Sequence, residues 1–132
     1  MPEVSWLAVA LSAVSSLVLG GIWYSPMLFA KAWQQAAGLS DDQLKSGNMA
    51  KIFGLTLILS FIAAAVFAMF LGPNFGVGPA TAAGFSAGLC WVAASYGITY
   101  LFEHRPLKLW LVNGGYHTLQ FTLFGLIIGY LQ

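Results

Sequence analysis

Charge is what this sequence has least of. Asp, Glu, Lys and Arg make up 7% of its 132 residues, against about 25% in soluble domains. Five basic and four acidic side chains cannot cover the surface of a water-soluble fold, so the chain needs lipid around it or a very large partner surface. The net charge is +1, and no dense basic face exists for nucleic acid. Cys90 is the one cysteine, which excludes an intramolecular disulfide and any zinc-type Cys/His spacing. The four carboxylates, Glu3, Asp41, Asp42 and Glu103, stand outside the apolar runs. None can orient a base within them, so no activated nucleophile is expected and the chain is read as a non-enzyme. His104 and His117 are too far apart along a helix to share an ion, roughly 20 Å at 1.5 Å per residue. No metal or other cofactor is therefore expected.

Long apolar runs are abundant. They cover about residues 4–24, 52–71, 80–102 and 109–131, and none contains Asp, Glu, Lys or Arg. Each has the roughly 20 residues that an α-helix needs to cross a hydrocarbon core of ~30 Å. Barrel strands would instead alternate over about ten residues. The sequence thus predicts an all-α polytopic membrane protein, a single domain of four antiparallel transmembrane helices. The first run has no positive segment ahead of it and is expected to be a retained helix rather than a signal peptide. Ser25 followed by Pro26 reads as an N-cap and first helical position. It would open a short amphipathic helix at the membrane interface over about 26–37, stopped at Gly38. Ser40 and Gln43 fit a capping box, from which the second spanning helix would start early.

All five Lys and Arg, namely Lys31, Lys45, Lys51, Arg105 and Lys108, fall in the connections after the first and third runs. The positive-inside rule then puts those connections in the cytoplasm and both termini outside, in a multi-pass protein of the cell inner membrane. Trp23, Tyr24, Trp33 and Trp110, with Lys31, Arg105 and Lys108, are the expected interface anchors. Small residues recur at packing spacing, Gly84 with Gly88 and Gly125 with Gly129. Such faces let helix backbones approach, within the chain or between copies.

One apolar run carries a polar stripe. Asn113, His117 and Gln120 share a helix face, and His117 falls near mid-bilayer. Ser16, Ser60 and Cys90 lie at similar depth on the other runs. These six residues define a candidate midplane polar site. It would either hold helices together by interhelical hydrogen bonds or bind a proton or small polar ligand.

The stretches Gly21-Ile22-Trp23-Tyr24-Ser25-Pro26 with Phe29-x-Lys31-x-Trp33, then Arg105-Pro106-Leu107-Lys108, Asn113-Gly114-Gly115-Tyr116-His117 and Gly125-Leu126-Ile127-Ile128-Gly129 resemble a bacterial membrane family known as domain of unknown function 1761. The resemblance implies a four-helix membrane protein and no particular activity. Two functional expectations follow from the residues. One is a structural or interaction protein, partnered by lipid and by a second copy or another membrane protein. The other is a small-solute or proton-linked transporter or channel, with the His117 stripe along its path.

Overall fold

The computed structural model describes residues 3–132. Those residues form helices and turns, with no strand among them. The helices are α1 (Trp6–Trp23), α2 (Ala30–Ala37), α3 (Asp41–Lys45), α4 (Met49–Leu71), α5 (Val77–Ala87), α6 (Ala94–Phe102) and α7 (Leu107–Leu131). A π-helical segment, Gly88–Ala93, joins α5 to α6. Together the three pieces make one continuous helix over Val77–Phe102.

Three helices are long and apolar enough to cross a membrane: Trp6–Trp23, Met49–Leu71 and Val77–Phe102. At 25 residues, α7 equals them in length but not in hydropathy, because its middle carries Asn113, His117 and Gln120.

Local sequence accounts for most of the helix ends. Ser5 caps α1, its hydroxyl accepting from the Ala8 amide at 3.2 Å. Gly38 ends α2 in the left-handed conformation at φ 72°, where a Cβ would be strained. The Leu39 amide then reaches back to the Gln34 carbonyl, the longer bond of a Schellman turn. The Ser40–Gln43 capping box is present in both directions.

Two expected boundaries move. Ser25 and Pro26 do not open the interfacial helix. Residues 25–29 form turns, with Leu28 and Ala30 both donating to the Ser25 carbonyl and Phe29 to that of Trp23. The helix proper begins at Ala30. Nor does the capping box start α4. It opens the separate α3, and Asn48 re-initiates the chain by accepting from the Lys51 amide at 3.2 Å.

The hub of the packing is α7. It lies most extensively against α5 and the π segment, then against α1, and α2 sits on its first turns. By contrast, α4 rests on α1 and barely reaches α7. Ala8 and Val9 of α1, Ala64, Ala65, Phe67 and Ala68 of α4, Ala87 of α5, and Phe124 and Ile128 of α7 form one buried cluster. Small residues dominate it because helices that cannot gain much by expelling water bind through close backbone approach. The first half of α4 lies outside this cluster. From Met49 to Leu59 every residue but the half-buried Thr56 is exposed.

Candidate functional site

Glycines set how near α7 stands to its neighbours. A Cβ on Gly84 would run into the Phe121 carbonyl oxygen, and one on Gly125 into that of Ala80. A Cβ on Gly88 would stand 2.7 Å from the His117 carbonyl oxygen. Gly129 is similarly hemmed in by Ala80 and Val77. All four expected packing glycines therefore sit in a single seam, between α7 and the helix that begins with α5. That seam holds the polar stripe of α7 at fixed height.

Around the stripe the side chains form two hydrogen-bonded sets. In the first, Tyr24 at the end of α1 donates its hydroxyl to Asn113 Oδ1 at 2.6 Å. The Asn113 amide nitrogen donates to the Tyr100 hydroxyl at 2.8 Å. One amide thus ties α1, α7 and α6 together. In the second set, Gln120 Nε2 donates to Ser16 Oγ at 3.1 Å, and Gln120 Oε1 pairs with His117 Nδ1 at 2.7 Å. Tyr116 lies between the sets and donates to the Ser16 carbonyl at 2.9 Å. Ser16 and Gln120 are buried.

The second set orients the imidazole. With Gln120 Oε1 as acceptor, Nδ1 carries a proton, and in the neutral ring Nε2 is then the acceptor nitrogen. That nitrogen has no hydrogen-bond partner among the described residues. Tyr96 stacks on the ring with centroids 5.0 Å apart and planes 12° apart, and Tyr116 meets it edge-on at 4.9 Å. One turn before Ser16, the fully buried Ser12 hydroxyl has no partner either. The arrangement can orient a neutral imidazole and offer one acceptor nitrogen, and it supplies no carboxylate beside it.

Two members of the expected midplane site stand apart from these bonds. Ser60 is buried on α4 and shares no hydrogen bond with the stripe. Cys90 is exposed on the outside of the π segment. Among the described residues no group of three or more His, Cys, Asp or Glu could hold a metal ion.

The aromatic residues expected at the interface also fasten helices to one another. Trp23 Nε1 donates to the Val112 carbonyl at 2.8 Å, so α1 is clamped to α7. Trp110 Nε1 donates to the Ala93 carbonyl at 2.7 Å, at the end of the π segment. Gly97 and Gly114 leave room for the indole. Trp33 packs edge-on to Tyr24 at 5.5 Å. Lys31 and Lys108 are exposed. Arg105 bonds Glu103 at 3.2 Å and the Ala37 carbonyl at 3.4 Å.

Sequence reasoning missed three contributors. Tyr116 was legible, since it lies three residues from Asn113 on the same face. Tyr96 needed the helix on which it is carried to be placed against α7. Gln132 gave no signal. Its side chain accepts from the Ser5 amide at 2.9 Å and donates to the Ala68 and Gly72 carbonyls at 2.9 and 3.0 Å. It closes the end of the bundle opposite the tyrosines.

Fold and site together define an all-helical protein with helices fit to cross a membrane and a hydrogen-bonded aromatic seam about α7. The chain belongs to the family described as "Protein of unknown function (DUF1761)", whose profile it matches over residues 7–129. No curated protein and no solved structure matches it.

Proposed function

We propose that this chain is a non-enzymatic membrane protein of four antiparallel spans, with both termini outside the cell inner membrane, that works by association with a second copy or as an accessory subunit. Counting α7 as the fourth span is supported by its length and by its pairing along α1, from Gln132 at Ser5 to Val112 at Trp23. Asn113, Tyr116 and Gln120 are bonded to neighbouring helices rather than turned to lipid, which lowers the cost of carrying them through a bilayer.

The observation that carries the association reading is the contrast within α4. Its second half packs one face into the core, while its first three turns contain no buried residue and carry exposed Ile52, Phe53, Leu55, Ile58 and Leu59. The glycine faces are consumed inside the chain, so the association surface is an aliphatic and aromatic one. Native mass spectrometry of protein extracted gently from its membrane tests this. The expected result is whole multiples of 14.1 kDa or the chain with a different partner chain. A strictly monomeric mass under those conditions would contradict it.

A second reading rests on the unpartnered Nε2 of His117 and the buried hydroxyl of Ser12. A small-solute or proton-linked transporter would use that nitrogen as the acceptor for its cargo. The His117→Ala variant separates the readings: transport requires loss of activity with an intact fold, and association requires none.

A further inference from the structure

A slot on the outer face of the α6–α7 pair has one apolar and one cationic end. Ala94, Gly97, Ile98 and Leu101 follow one another on a single face of α6, and the ring of Trp110 forms the opposite wall. The slot has a volume of about 380 Å³. Its α6 wall is about 10 Å long, seven rises of 1.5 Å from Ala94 to Leu101. Because the indole N–H is already given to the Ala93 carbonyl, Trp110 shows the slot only carbon. Gly97 is what lets the ring lie so near α6, with Nε1 3.0 Å from where its Cβ would be.

Arg105 stands at the mouth. A free arginine at a helix end would swing among headgroups at large. This one is tethered on two sides, to Glu103 and to the Ala37 carbonyl at the end of α2. Two of its five N–H donors are used, and the remainder are held near the slot.

We infer that this slot is a binding site for one anionic phospholipid, with an acyl chain lying along Gly97 and Trp110 and the phosphate held by Arg105. Both ends of the occupant are specified: the apolar wall takes hydrocarbon, and a planar guanidinium suits phosphate oxygens. The inference rests on the membrane reading above, and a lipid held here would brace the π segment and the α6–α7 turn.

The test uses full-length protein, washed free of lipid in detergent and titrated with phosphatidylglycerol, with bound lipid counted by native mass spectrometry. One lipid per chain is expected to bind ahead of the rest. Arg105→Gln is expected to weaken that first binding about fivefold, the value of one basic side chain at an anionic surface. Ile98→Trp, which fills the slot from an exposed position, is expected to weaken it as much. Lys31→Gln removes the same charge elsewhere and is expected to leave it unchanged. Wild-type binding by both slot variants, with the chain still recovered in the membrane fraction, would overturn the site alone. So would an equal loss in Lys31→Gln, since the effect would then be general surface charge. Recovery of wild-type chain in the soluble fraction would overturn the membrane reading itself.

Discussion

The two ends of the bundle are held by different means. Toward Gln132, helices meet through small residues, Ala8, Ala64, Ala68, Ala80, Gly84 and Gly125, so near that backbone touches backbone. Toward the charged turns, they stand further apart and are bridged by long polar side chains: Trp23, Tyr24, Tyr100, Trp110 and Asn113. The difference follows α4. Where α4 is packed, four helices share one core. Where it is bare, the remaining helices are fastened to one another by directed hydrogen bonds. Close packing tolerates no added atom, whereas a bonded seam tolerates loss of single bonds. The substitutions below separate those behaviours.

The largest effect is expected at the packed end. Gly125→Leu forces a side chain into the Ala80 backbone and should cost at least the ~3 kcal/mol upper end of overpacking penalties. Gly21→Leu meets nothing within 4 Å and should stay within about 0.5 kcal/mol of the parent, as surface changes do. Denaturant titration of the two variants in the same detergent gives the comparison, and equal losses would erase it.

Next is Gln132→Ala, which removes the latch joining the starts and ends of α1, α4 and α7. With three bonds lost, roughly 1–2 kcal/mol is expected, together with faster amide exchange at Ser5. Slow exchange there in the variant would show that the latch is dispensable.

A smaller effect is expected at the bonded end. Trp110→Phe keeps most of the ring and loses the donor to Ala93, at about 1 kcal/mol. If the loss matched that of Gly125→Leu, the seam would be as brittle as the core and the contrast would fail. Smallest of all is Ser12→Ala. The hydroxyl is buried without a partner, so its removal should be neutral or slightly stabilising. Clear destabilisation would reveal a bonded group at that place.

Much of this was readable from residues alone. Length, hydropathy and the distribution of Lys and Arg carry the helices, and Ser40, Gln43 and Gly38 carry their local ends because caps are chemistry within a few positions. The Asn113–His117–Gln120 face was readable for the same reason. What was not readable depends on contacts distant in sequence. Tyr24 reaches Asn113 across 89 positions, and Ser5 reaches Gln132 across 127. The π segment was hidden because Gly88 and Ala93 look like ordinary helix until α7 is laid against them. Cys90 lies exposed within that segment, and a count of depth along the run does not say which face it takes.

If α7, the most polar of the long helices, is the fourth span, reporters at its two ends, one inserted in the Glu103–Pro106 turn and one fused after Gln132, report opposite sides of the membrane. A cytoplasmic signal is expected from the turn and an exterior signal from the fusion. Signals from the same side would mean that α7 does not cross.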